Sequence, residues 1–226
     1  MQPGRLIVLE GPEGAGKTTQ LRLLADRIGR SGRKVLALRE PGGTALGDAI
    51  RTILLDSAHE MTPAAEALLF MASRAEITKL KIDPALTDGV VVLMDRFFLS
   101  TYAYQIGGRG LDEQQVRQAN ALAIGGLVPD FTVVIDIAPS DGLARAAARG
   151  SHDRMERSGD EFHSSVASAF SLFATEDWQL GHPECGPIVK VDGTGAPEIV
   201  HGRIAAALAQ NLPDEFGMLA EAGTGA

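Results

Sequence analysis

GPEGAGKT, Gly11 to Thr18, decides how the rest of this chain is read. It fits G-x-x-x-x-G-K-[ST], the phosphate-binding loop. Gly11, Gly14 and Gly16 let the backbone turn its N–H groups inward around phosphate oxygens, with Pro12, Glu13 and Ala15 as the intervening loop. The helix that follows aims its positive end at the same anion. Lys17 is expected to bridge the β- and γ-phosphates, and Thr18 to hold Mg²⁺. The flanks suit the motif. RLIVLE (Arg5 to Glu10) is short, apolar and β-branched, which predicts a buried strand. KTTQLRLLADRIGR places Leu21, Leu24, Ala25 and Ile28 at helical spacing. A strand, a phosphate loop and a helix in this order predict a nucleoside triphosphate site.

Working outward, KVLALR (34–39), GVVVLMD (89–95), FTVVIDI (131–137) and PIVKVD (187–192) read as four further strands. Helical patterns separate them. One helix is expected to start at Thr62-Pro63, a capping residue followed by proline at the first helical position, and to run to about Ile82. Near-continuous apolar strands alternating with helices predict a five-stranded parallel sheet covered on both faces. The third strand ends in Asp95 and the fourth in Asp136. Either carboxylate could orient Mg²⁺ through water, and Asp95 is better placed because Arg96 follows it. From Pro213 onward the sequence is Gly/Ala/Glu-rich and aperiodic, which predicts a frayed tail over 213–226 after one domain over 1–212.

Composition narrows the function. The 226 residues carry a formal charge of −8 and are 45% hydrophobic. An acidic chain argues against a nucleic-acid polymer as partner, because such binding neutralises many phosphates. Cys185 is the single cysteine, so no intramolecular disulfide is expected. Apolar runs such as Val90 to Met94 are too short to span a bilayer, and the N-terminus lacks a signal-peptide layout. These features predict a cytoplasmic protein. The guanine-specifying N-K-x-D of GTPase switches is absent from the sequence. A small phosphate-loop kinase remains, with its acceptor site to be found elsewhere in the chain.

Four stretches follow the strands or face them: REPGGT (Arg39 to Thr44), LLFMASRAE (Leu68 to Glu76), DRFFLSTYAYQ (Asp95 to Gln105) and RAAARGSHDRMERSGDEF (Arg145 to Phe162). Open α/β sheets bind ligands at the C-terminal ends of their strands. In this order EPGGT, LLFxxxR, DRxxxSTxAYQ and DRxE resemble the thymidylate kinases, bacterial type, over about Arg5 to Leu208. The resemblance implies an α/β phosphate-loop fold of the nucleoside-monophosphate-kinase kind, with a lid at about 145–160. It implies transfer of phosphate from ATP to dTMP, giving dTDP for dTTP biosynthesis, with Mg²⁺, and usually a homodimer, with the helices near Thr62 to Ile82 as candidate interface.

Residue roles follow from the same resemblance. Phe70 and Arg74 are four apart, hence on one helical face. By spacing alone Phe70 reads as a core residue rather than a stacking one. The family gives Phe70 stacking on thymine and Arg74 a hydrogen bond to a thymine carbonyl. Arg96 would hold the dTMP phosphate, for which a guanidinium fork is suited. Its alternative is a structural salt bridge. Ser100 and Thr101 would line the pyrimidine pocket, Tyr104 would crowd the sugar 2′ position, and Gln105 is a further pocket residue. The family usually has glycine after Gln105, where this chain has Ile106, so the loop shape is open there. Glu13 would face the sugar 3′-OH or a magnesium-bound water, or else solvent. The turn Gly193 to Ala196 would lie against adenine.

The acceptor's chemistry separates two enzyme readings. A phosphate has its second pKa near about 6 and is mostly a dianion at neutral pH. It needs positioning and positive charge rather than a base. A sugar hydroxyl would need a base, for which Glu40 is the candidate in a deoxynucleoside kinase. A third reading is a nucleotide-binding protein without catalysis. The loop has Gly14-Ala15 where some relatives carry an arginine, so the extra cation is expected from the lid. Arg154 in DRxE and Arg149 are the candidates to close over the ATP phosphates, with Arg157 behind them.

Overall fold

A computed structural model of the chain describes residues 3–148, 154–155 and 158–219. Five strands, β1 (Arg5–Glu10), β2 (Val35–Arg39), β3 (Val91–Asp95), β4 (Phe131–Asp136) and β5 (Ile188–Asp192), form one parallel sheet in the order β2-β3-β1-β4-β5. These are the five apolar runs expected to be strands. The helices in chain order are α1 (Lys17–Arg30), α2 (Ala45–Leu55), α3 (Pro63–Ile77), α4 (Asp83–Thr87), α5 (Phe98–Thr101) and α6 (Glu113–Ile124). They continue with α7 (Pro139–Ala147), α8 (Asp160–Phe173), α9 (Glu176–Gly181), α10 (Pro197–Asn211) and α11 (Pro213–Phe216).

The period-2 alternation of the central strands feeds two cores. Leu6, Val8, Val92, Met94 and Val134 point to one side, under Met71 and Ile77 of α3, Val116 and Ile124 of α6, and Val166 and Phe170 of α8. Ile7, Leu9, Leu93, Val133 and Ile135 point to the other, under Leu21, Leu24 and Ile28 of α1 and Ile204 and Leu208 of α10. Every one of these strand residues is essentially inaccessible. Burying each such side chain stabilises the fold by about 1.5–3 kcal/mol. The edge strands β2 and β5 are only partly covered. β1 lies between β3 and β4, where the winding reverses, so the loop after β1 opens into the crevice of the topological switch.

Thr62 accepts a hydrogen bond from the Ala65 amide and Pro63 opens α3, as the sequence predicts. The helix keeps its α-form to Ile77 and passes into π-helical turns over Thr78–Ile82. A second π-helical stretch, Tyr102–Gly108, continues α5. Ile106 lies in it, partly buried against the core. Gly108 meets the Phe162 ring so closely that a Cβ there would lie 2.4 Å from it.

The expectation of a frayed tail from Pro213 is corrected for residues 213–219. Pro213–Phe216 is helical and Gly217–Leu219 forms a 3₁₀ turn. Phe216 and Leu219, three apart, are both buried against α10 and the second core. Arg33 stacks over the Phe216 ring at 5.4 Å, Arg5 pairs with Glu215, and Arg27 donates to the Leu219 carbonyl. Two apolar side chains in a polar stretch were enough to dock it. Residues 220–226 lie outside the described residues.

Candidate active site

The loop between β1 and α1 wraps an open cradle. Gly11, Gly14 and Gly16 all have positive φ. At Gly14 a Cβ would come within 2.0 Å of the Gly142 carbonyl oxygen at the start of α7, so backbone there packs on backbone. Gly16 caps α1 with no side-chain hydrogen bond. The first amides of α1 are thereby left to a ligand. Lys17 is buried, and its Nζ donates to the carbonyls of Gly11 (2.9 Å) and Pro12 (2.8 Å). Burial, and Arg96 nearby, bring its pKa down to about 8. The Thr18 hydroxyl donates to the Asp95 carboxylate, which β3 presents beside the end of β1. Asp136 pairs with Lys190 of β5 at 3.3 Å and is not among the residues lining the cavity.

Arg96 is the hub of the site. It is the non-glycine residue with positive φ (70°) among the described residues. Such a conformation costs about 1–3 kcal/mol and persists only where the surroundings enforce it. Its guanidinium donates to the Gly11 carbonyl (3.2 Å), Ser100 Oγ (2.9 Å), Glu13 Oε1 (2.8 Å) and the Tyr104 hydroxyl (3.1 Å). The salt-bridge alternative for Arg96 is thus present, with Glu13. Arg96 nevertheless lines the cavity rather than the core. Glu13 meets Arg96 and accepts from the Tyr104 hydroxyl at 3.0 Å. Burial holds the Tyr104 hydroxyl protonated, far above its ordinary pKa.

A cavity of about 660 Å³ runs from this hub toward α3. Glu13, Lys17, Thr18, Phe70, Arg74, Thr101, Tyr104 and Gln105 all line it. Phe70 is half-buried with its ring on the cavity, not in the core. Arg74 is almost fully buried: its Nε donates to Glu40 Oε2 (2.8 Å), Nη1 to Asn120 Oδ1 (3.0 Å) and Nη2 to the Phe97 carbonyl (3.2 Å). The Thr101 hydroxyl is buried with no hydrogen-bond partner among the described residues. A buried, unpaired hydroxyl on a cavity wall is a contact waiting for a polar ligand edge. Glu40, weighed as a general base, is committed to Arg74 by a 2.7 Å ion pair. Burial pushes its pKa up to about 7 despite that cation.

The lid residues fare differently. Arg149 and Arg157 lie outside the described residues. Arg154 does not meet the phosphate loop. Its Nη2 lies 2.5 Å from Glu66 Oε2, and its Nε donates to the Leu54 carbonyl at 2.9 Å. The turn at Gly193 receives Arg145 at its carbonyl (3.3 Å) and lies away from the cavity lining.

Several contributors escaped the sequence reading. Glu10, buried at the end of β1, accepts from the amides of Phe97 (2.8 Å) and Ser100 (3.1 Å) and from Ser100 Oγ (2.6 Å). It thereby pins the start of α5 beneath Arg96. Arg39, Asp48 and Arg51 also line the cavity. Glu66 is buried behind it. Its spacing carried a usable signal: Glu66, Phe70 and Arg74 repeat every four residues on one face of α3.

Comparison with known proteins agrees with this geometry. A thymidylate kinase family model matches residues 9–181. A thymidylate kinase of Synechococcus sp. (strain JA-3-3Ab) is 48% identical over 198 residues, covering 88% of this chain and 92% of the relative. One from Deinococcus radiodurans is 43% identical over 210 residues, covering 93% and 98%. One from Pseudomonas fluorescens (strain Pf0-1) is 48% identical over 175 residues, covering 77% and 83%.

Proposed function

The chain belongs to the thymidylate kinase family, and from that premise we propose how its residues divide the work. The reaction is ATP-dependent phosphorylation of dTMP to dTDP, a step of dTTP biosynthesis. An oxygen of the dTMP phosphate forms a bond to the γ-phosphorus of ATP as the bond from that phosphorus to the β–γ bridging oxygen breaks. ADP leaves with that oxygen. The acceptor is already a dianion, so no side chain has to remove a proton.

What the site supplies is position and charge. The loop amides from Gly11 to Thr18 and the Lys17 ammonium take the ATP phosphates. Arg96 takes the acceptor phosphate, exchanging its bonds to Glu13 and Ser100 for phosphate oxygens. Phe70 stacks on the thymine, Arg74 and Thr101 meet its polar edge, and Tyr104 and Gln105 close the sugar side. Arg74 can do so because Glu40 and Asn120 hold its plane fixed.

Mg²⁺ suits the donors present. Thr18 offers a hydroxyl and Asp95 a carboxylate at one point, and no cluster of three His, Cys, Asp or Glu ligands occurs among the described residues. Such a sparse oxygen set fits an ion that keeps waters and takes its other ligands from phosphates. Bound there through Thr18 and Asp95, directly or through water, Mg²⁺ would neutralise charge on the β- and γ-phosphates. Arg154 and Arg149 are the candidates for further positive charge over the ATP, with Arg157 behind them.

Exposed leucines on the α3 and α6 flank, Leu68, Leu80 and Leu122, favour a homodimer. The buried free thiol of Cys185 suits a cytoplasmic setting. No helix among the described residues is long and apolar enough to cross a membrane.

The observation that carries this reading is the position of Arg96, bonded at once to the phosphate loop and to the Ser100–Tyr104 wall. An ADP-release assay comparing dTMP, thymidine, dUMP and dCMP tests it. Turnover with dTMP is expected. Turnover with thymidine but not dTMP would mean that Glu40 acts as a base after all.

A further inference from the structure

Glu10 closes β1 with a carboxylate that solvent does not reach. Burial pushes its pKa up, against the pull of Arg96 and of the donors gathered on it. Its charge is costly where it stands, and its reach is what the fold uses. Oε1 accepts from the amides of Phe97 (2.8 Å) and Ser100 (3.1 Å), and Oε2 from Ser100 Oγ (2.6 Å). The short helix α5 has no capping side chain of its own, so Glu10 supplies the cap from another element. The residue just before this turn is Arg96, whose left-handed backbone (φ 70°) must be enforced by its surroundings. The peptide groups around it are tied on both sides. The Asp95 carbonyl accepts from the Glu40 amide (3.0 Å) and the Arg96 amide donates to the Leu9 carbonyl (3.0 Å). The Phe97 amide goes to Glu10, and the Phe97 carbonyl accepts from Arg74 Nη2 (3.2 Å). Ser100 Oγ, held by Glu10, also accepts from Arg96 Nη1 (2.9 Å). One carboxylate thus fixes the backbone after Arg96 and a partner of its guanidinium.

We infer that Glu10 is a positioning residue for Arg96: it holds the Phe97–Ser100 turn and thereby aims the guanidinium at the acceptor phosphate. This rests on reading Arg96 as the residue that takes that phosphate. When phosphate draws the guanidinium away from Glu13 and Ser100, the bonds from Glu10 to the two amides need not change. The backbone that carries Arg96 then stays where it is. The role is one of geometry rather than charge. Glutamine has the same length, and it can set its carbonyl oxygen on the two amides and its amide N–H on Ser100 Oγ. Aspartate keeps the charge but is shorter by about 1.5 Å, which carries these bonds out of range.

Steady-state kinetics with dTMP and ATP varied separately test the inference on E10Q, E10D, R96K and the double variant E10D/R96K. E10Q should keep kcat/KM for dTMP within about threefold of the unsubstituted enzyme. E10D should lower it by about tenfold or more, with KM for ATP within about twofold. A carboxylate that merely stabilised the fold would not separate the two substrates in this way, nor would glutamine replace it better than aspartate. The double variant should be no worse than the poorer single one, because both changes act through the same guanidinium. The reverse order, E10Q impaired and E10D spared, would make charge the essential feature and overturn the inference. Equal losses in E10Q and E10D, or losses that multiply in the double variant, would overturn it too. E10Q removes no volume, so it keeps the inference open to refutation even if E10D folds poorly: a loss of about tenfold in E10Q alone is enough. R96K separates the two levels. If R96K lowers kcat/KM for dTMP while E10D does not, Arg96 keeps its place on the phosphate and the inference falls. If R96K also leaves it unchanged, both fall.

Discussion

Binding of ATP at pH 8 should draw a proton from solution. Lys17 is 7% exposed, beside the Arg96 guanidinium, with a pKa of about 8. Triphosphate oxygens bring negative charge to the same spot and restore the ammonium. From a free-state value of about 8, the neutral fraction to be protonated is about 0.1 at pH 7, about 0.5 at pH 8 and about 0.9 at pH 9. Calorimetric titration of ATP in buffers of different ionisation enthalpy reads that uptake directly. The sign follows from the direction of the shift. The free site binds fewer protons than the complex, so alkali opposes binding. Above pH 8 the Kd for ATP should rise toward tenfold per pH unit, about 1.4 kcal/mol each. Glu40 titrates near about 7, so the step from pH 8 to 9 isolates the lysine. The same shift acts on the fold: a lowered lysine pKa costs stability at neutral pH, and that cost is relieved between about pH 8 and the unfolded value of 10.5. Uptake below about 0.2 proton at both pH 8 and pH 9 would refute the reasoning, because Lys17 would then be fully charged before ATP arrives.

Two further outcomes test other parts of the molecule. R96K keeps the charge but loses the fork that reaches Gly11, Ser100, Glu13 and Tyr104. Losing one charge-assisted bond to the acceptor phosphate, worth about 1.5–3 kcal/mol, should lower kcat/KM for dTMP by about 10- to 150-fold. A change under about threefold in steady-state kinetics would remove Arg96 from the acceptor phosphate. F216A empties a fully buried site in the C-terminal segment and should cost about 3–5 kcal/mol. In a chain of this size that lowers Tm by about 6–20 °C, with KM for dTMP unchanged. A scanning-calorimetry shift under about 2 °C would show the segment to be peripheral.

The strands were legible because each is a short apolar run closed by a turn residue, and a buried parallel sheet asks for little more. The phosphate loop was legible because its function lies in backbone geometry that only glycines at set positions allow. Phe70 and Arg74 were legible as a face of one helix. Glu66, one turn earlier on that face, passed unnoticed, since a glutamate in a first helical turn is an ordinary solvated residue until something covers it. Glu10 passed unnoticed as a strand-end acid. What makes it structural is that the amides of Phe97 and Ser100, almost ninety residues away in sequence, converge on its carboxylate. The segment after Pro213 was misjudged for a related reason: composition averaged over it conceals two apolar side chains that dock.

By itself, then, the sequence determined the sheet, the nucleotide loop and the family, all of which depend on residues close together in the chain. Tertiary structure alone decided which charges meet. Arg96 is set against Glu13 and Tyr104, Arg74 against Glu40 and Asn120, and Arg154 against Glu66 rather than the phosphate loop. The physical reason is burial. A guanidinium in water needs no particular partner, but one enclosed by protein must find acceptors with the right geometry. Those acceptors are contributed by whichever elements the fold happens to bring alongside.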